Sequence, residues 1–184
     1  MRTTIVTSIV FLFLSITQGC GRLISEGVGT VTGAKGTYLV LQPIGEGPRT
    51  APLASYTEFE LLPLEADPGV RVPLMFTQNL PEKFQQCLIK EKFADGTRGK
   101  TLVIRGRIMH YESAGLAGEV FGPFEEVVAR TELVDKQTGK VLGVANCIGR
   151  SEETVNEGPE DKAAGLAKAI VNWIKANRNP PKEK

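Results

Sequence analysis

Apolar residues recur along this chain with two different periods, and one stretch near the start has no period at all. Alternation with period two marks strands, because successive side chains point to opposite faces. "TYLVLQP" (37–43) is short and β-rich and is ended by the turn-forming "IGEGPRTAP". "SYTEFELLPL" (55–64) sets Phe59 and Leu61 on one face, with Pro63 at a strand end, where its missing N–H does no harm. "KTLVIRGRIMHYES" (100–113) alternates Leu102, Ile104 and Ile108 against Val103, Arg105, Arg107 and Met109. "FEEVVARTELV" and "VLGVANCIG" flank "DKQTGK", so 124–149 read as a β-hairpin.

The other period is helical. Phe76, Leu80, Phe84 and Leu88 recur at intervals of four. Pro81 interrupts that stripe, and proline is tolerated in the first turn of a helix but costs about 3 kcal/mol in its interior. The expected helix therefore covers 80–92, with Glu82 in an acidic first turn and an irregular lead-in before it. A second helix over 159–178 has Pro159 at its start, Glu160 and Asp161 at the positive end of the dipole, and Lys175 and Arg178 at the negative end. Leu166, Ile170, Trp173 and Ile174 form its buried stripe, and Pro180 stops it. The order β-β-α-β-β-β-α predicts an α+β fold, a two-layer sandwich of a mixed sheet with two helices on one face. The helix between 64 and 100 lets strands 55–64 and 101–111 lie parallel by a crossover.

The stretch without a period is "TIVTSIVFLFLSITQGCGR" (4–22). Its apolar run from Ile5 to Ile16 falls short of the roughly 20 residues that cross a bilayer. Arg2 before it and small Gly19 after it describe a secretory signal covering 1–19. Ile16 to Cys20 resembles the lipobox of bacterial lipoproteins, with Thr17 where that family favours leucine. The resemblance implies cleavage before Cys20 and acylation of its sulfur, two or more chains being enough for firm attachment. Ordinary secretion and an uncleaved anchor are the alternatives; no Ala-x-Ala site lies nearby to favour the former. Gly21 after the cysteine, where an aspartate is absent, points by resemblance to enterobacterial sorting rules to the outer membrane, facing the periplasm. Residues 20–36 then read as a tether rich in glycine, since Gly27, Gly29 and Gly33 have the wrong spacing for a dinucleotide fingerprint and precede a strand. The domain would occupy 37–178, with 179–184 a solvated tail.

Loss of Arg2 with the signal makes the basic count equal to the 21 acidic residues. Such a balance excludes the basic face that nucleic acid demands. Cys87 and Cys147 remain once Cys20 carries lipid. Cys147 alternates with Gly143 and Ala145, whereas Leu142, Val144 and Ile148 share the opposite face. Parity thus points Cys147 away from the heavier face, the one expected under the helices. Two free thiols or a disulfide both remain open, the latter needing Cα atoms within about 7 Å.

Candidate chemistry is sparse. His110 is the one histidine, near Glu112, with no second histidine for zinc and no G-x-S-x-G elbow. Glu125 and Glu126 are neighbours on a strand and face opposite ways. No catalytic residue, metal or cofactor is expected. Arg105, Arg107, Arg130 and Glu132 are expected to form cross-strand ion pairs on the open face of the sheet. In "SAGLAGEVFGPF" (113–124), Leu116, Val120 and Phe121 stand among glycines where a polar turn is usual. They are candidates to bind a protein partner, or to fold back on the sheet.

From Leu53 to Trp173 the chain resembles small bacterial envelope lipoproteins of unknown function. The motifs are the loop Pro63-Leu64-Glu65-Ala66-Asp67, "LVIRGRIMHYE", the apolar glycine loop, "VVARTELVDKQTGKVLG" and the terminal amphipathic helix. Their soluble domains are similar to the TolB amino-terminal domain and to lipoprotein activators of penicillin-binding proteins. The resemblance implies an assembly or adaptor role at the membrane and supplies no catalytic residues. A carrier or sensor of a small envelope ligand is the alternative, and a hydrolytic enzyme a more distant one.

Overall fold

The computed structural model describes residues 25–26, 34–47, 50–93, 99–112, 125–151 and 158–179. The strands are β1 (Ser25–Glu26), β2 (Ala34–Gln42), β3 (Tyr56–Leu61), β4 (Glu65–Ala66), β5 (Lys100–Tyr111), β6 (Glu125–Asp135) and β7 (Val141–Ser151); the helices are α1 (Leu74–Lys90) and α2 (Pro159–Arg178). One open sheet has the order β1-β2-β7-β6-β5-β3, with β4 also paired to β5. β3 and β4 run parallel to β5, and the remaining pairs are antiparallel. The α+β sandwich with a mixed sheet is therefore the fold.

Its hairpin closes as its turn residues dictate. Gly139 takes a φ of 69°, the left-handed conformation that a side chain resists. Asp135 Oδ1 accepts from the Thr138 N–H at 2.8 Å and from the Thr138 hydroxyl at 3.0 Å. Its other oxygen accepts from the Tyr56 hydroxyl at 2.6 Å, which ties the start of β3 to the end of β6.

α1 starts six residues earlier than the proline suggested. Pro81 lies in its interior, on the exposed side, and the first turn holds no acid. The reason is Phe76, wholly buried on one stripe with Leu80, Phe84 and Leu88. Burying an aromatic ring is worth enough to offset one missing backbone bond. β2 likewise starts at Ala34, so 34–36 belong to the sheet and not to the expected tether. Ala34 and Gly36 are buried under α2, whose Lys168 and Asn172 side chains donate to the Ala34 and Gly36 carbonyls at 2.7 and 3.5 Å. α2 itself begins and ends where its proline, acids and bases place it.

The core lies between the helices and one face of the sheet. Cys147 is on that face, fully buried, which reverses the parity argument. The covered side of β7 is the light one, Gly143, Ala145, Cys147 and Gly149. A Cβ on Gly149 would lie 2.3 Å from the Leu166 nitrogen, and one on Gly36 would lie 2.4 Å from the Ala169 nitrogen and the Gly165 oxygen. Small residues face α2 because its backbone approaches too closely for large ones. Cys87 and Cys147 are both free thiols, and burial pushes the Cys147 thiol up to about 12.

Candidate functional site: the open face of the sheet

The face turned away from the helices is built in rows by strand register. Thr37, Ile148 and Val128 stand side by side across β2, β7 and β6, and His110 of β5 completes the row. His110 joins it because the β5–β6 register shifts between Ile108 and His110. Ile148 and Val128 are only half-buried, since no described element covers them. On one side lies a charged row of Lys35, Arg150 and Glu126, where Arg150 pairs with Glu126 at 3.1 Å. On the other side Leu39, Asn146, Arg130 and Arg107 form the next row. Beyond it Glu132 pairs with Arg105 at 2.8 Å, beside Val144.

Of the expected cross-strand ion pairs, Arg105–Glu132 forms and the others do not. Arg107 and Arg130 stand directly opposite one another, and like charges so placed repel. Arg107 turns to Asp67 beyond β4, at 3.3 Å, and the Arg130 guanidinium meets the Asn146 side-chain oxygen at 3.4 Å. Pairing of like charges was not legible in one strand's alternation, because it depends on register between two.

Two tighter polar clusters border this face, and both hold the fold together. The Tyr56 hydroxyl and the Thr138 N–H keep the Asp135 carboxyl down at about 2, and burial beside that carboxylate holds the Tyr56 phenol far above its usual range. At the opposite end, Lys162 is buried in the first turn of α2; its ammonium donates to the Glu112 carbonyl at 2.6 Å and lies 4.8 Å from the centre of the Tyr111 ring. Phe76 meets the same ring edge-on at 5.4 Å. Lys162 thus pins α2 to the end of β5, and its amphipathic spacing offered no hint of that.

Cys20, Leu116, Val120 and Phe121 lie outside the described residues. Glu112 is exposed where β5 ends, and its backbone N–H bonds the Glu126 carbonyl at 2.9 Å. Among the described residues no three potential metal ligands cluster, and no helix is long and apolar enough to cross a membrane.

No protein-family profile matches the chain, and no curated protein matches it. Solved structures similar to it include a dodecameric variant of PelC from Paraburkholderia phytofirmans, 12% identical, with a TM-score of 0.47, covering 76% of this chain and 96% of that one. PelC from the same organism in a second crystal form gives 12% identity and a TM-score of 0.44, over 77% and 96% of the two chains. A candidate lipoprotein from Caulobacter crescentus gives 12% identity and a TM-score of 0.35, over 71% and 98%.

Proposed function

We propose that this chain is a lipid-anchored protein of the bacterial cell envelope, held through Cys20 at the outer membrane, which works without catalysis by docking a protein partner on the open face of its sheet. The observation that carries the docking is the row of Ile148 and Val128, half-exposed between flanking charged rows. A partner burying an apolar side chain on that row gains about 25 cal/mol for each Å² removed from water. Arg130, whose guanidinium meets the neutral Asn146 side chain and stands opposite Arg107 in register, selects a partner that brings a carboxylate to it, since an acid there relieves the repulsion. The anchor is supported by the run from Ile5 to Ile16 ending at Gly19-Cys20. The loop bearing Leu116, Val120 and Phe121 joins β5 to β6 and is a second contact for the same partner.

In-cell photo-crosslinking from position 148 tests the reading. The expected result is one discrete adduct, lost in an Arg130→Glu variant that keeps wild-type melting. A position-148 probe that gives no adduct, or an adduct indifferent to Arg130→Glu, overturns the docking face. Mass spectrometry of the native amino terminus checks the anchor; an unmodified Cys20 overturns it.

A further inference from the structure

The direction of β1 determines which end of the domain meets the bilayer. β1 is antiparallel to β2, with Ser25 opposite Tyr38 and Glu26 opposite Thr37. A chain entering β1 therefore comes from the Gln42 end of β2. Ser25 lies five residue steps from Cys20, and a fully extended chain of that length spans at most about 17 Å. The step along β2 from Tyr38 to Leu41 takes up about 10 Å of that reach. A chain that continues back from Ser25 in the direction of β1 sets an acylated Cys20, and with it the headgroups, within roughly a nanometre of the Gln42 end.

That end has the composition of a surface that touches lipid. Val40 is 36% and Leu41 47% exposed, at the irregularity where β2 loses its register with β7 between Val40 and Gln42. Both helices also finish here. α1 and α2 run side by side in the same direction, joined by an ion pair between Lys83 in the middle of α1 and Glu160 at the start of α2 and by one between Lys175 and Glu91, at 2.6 Å, near their ends. Their negative dipole ends are matched by Lys90, Lys175 and Arg178. Glu91 and Glu60 are occupied by Lys175 and Lys136, and among the described residues the exposed Lys92, Lys100 and Lys140 stand at this end with the exposed acids Glu46 and Glu58. Leu74 and Met75, by contrast, lie at the start of α1, the opposite end of the molecule.

We infer that the Gln42 end of the domain rests on the phospholipid surface, Val40 and Leu41 entering the headgroup layer and Lys92 and Lys140 meeting anionic headgroups. The end of the sheet where β5 passes to β6 then points away from the membrane, along the roughly 30 Å of β2. The open face stands upright between the two, accessible from the side. This orientation rests on the acylation of Cys20 proposed above.

Depth-dependent quenching in vesicles tests it with the full, acylated chain. A nitrobenzoxadiazole label is placed at Leu41→Cys or at Leu74→Cys in a Cys87→Ser background, buried Cys147 being left in place. The vesicles contain phosphatidylethanolamine and phosphatidylglycerol with brominated acyl chains, and flotation is scored on the same samples. The expected result is flotation of both proteins, with quenching several-fold stronger at position 41 than at position 74. Floated protein with equal quenching at both positions, or stronger quenching at 74, overturns the orientation and leaves the anchor standing. Protein that does not float overturns the anchor and the orientation with it.

Discussion

The two faces of this sheet are closed by opposite means, and even the covered face is closed in two ways. Over β2 and β7, α2 lies so near that glycine and alanine are the largest residues tolerated at several positions, and Gly165 of the helix answers Gly36 and Gly149 of the strands. Over the β5 side, α1 packs through Phe76, Leu80, Phe84 and Leu88 against strands that supply Leu102, Ile104 and Ile108. The open face has neither a helix nor a close seam, and carries Arg105–Glu132 and Arg150–Glu126 pairs around half-exposed Ile148 and Val128. Bulk therefore does not identify the buried side of a strand. Close backbone approach excludes bulk as firmly as solvent does.

The largest effects should come from the covered face, with opposite kinds of substitution doing similar harm. Phe84→Ala leaves a cavity beneath α1 and should cost about 3–5 kcal/mol. Gly149→Ala adds a single methyl where the Leu166 nitrogen already stands, and should cost about 1–3 kcal/mol through overpacking. Urea unfolding of both variants checks the pair. A Gly149→Ala loss below half a kilocalorie would mean that α2 can retreat from β7, and the contrast between the two halves would fail.

The ends and faces of elements were legible to different degrees, for reasons these residues make plain. α2 declared itself because the proline of its first turn, its dipole charges and its apolar stripe agree, as the match at Pro159 and Arg178 shows. α1 was misread because local chemistry at Pro81 competed with burial of Phe76, and tertiary burial won. The covered side of β7 was misread because the seam with α2 has no sequence mark on the strand beyond its small residues. On the open face, alternation located Arg105, Arg107, Arg130 and Glu132 correctly, but which of them meet depends on a register that no single strand contains.

Between the two faces stands Asp135, buried at the end of β6. Its carboxyl is held at about 2, first by the Tyr56 hydroxyl and then by the Thr138 N–H. An ordinary carboxyl in the unfolded chain titrates near about pH 4. A folded value below the unfolded one gives stability that is complete above about pH 4 and disappears as pH falls towards 2. Asp135→Asn should flatten the acid limb of the stability profile in that window, and Tyr56→Phe should narrow it. Urea midpoints taken from pH 5 downwards measure both slopes. Parallel limbs in wild type and Asp135→Asn would show that the carboxylate is not the tie between β3 and β6.

The smallest effects belong to the open face, and there their sign carries the information. Arg105→Ala removes an exposed pair with Glu132 and should cost about 0.2–1 kcal/mol. Arg107→Ala removes a similar pair with Asp67, but it also removes a charge held opposite Arg130. The two terms oppose each other, so its cost should fall below that of Arg105→Ala and lie within about half a kilocalorie of zero. The double-mutant cycle of Arg107→Ala with Arg130→Ala separates the terms: the singles should sum to more stabilisation than the double shows, because repulsion is relieved only once. Raising the salt should shrink that coupling, since both guanidinia face water. A coupling of the other sign would mean that the two planes stack and stabilise each other, and the open face would then have no site that calls for a partner's carboxylate.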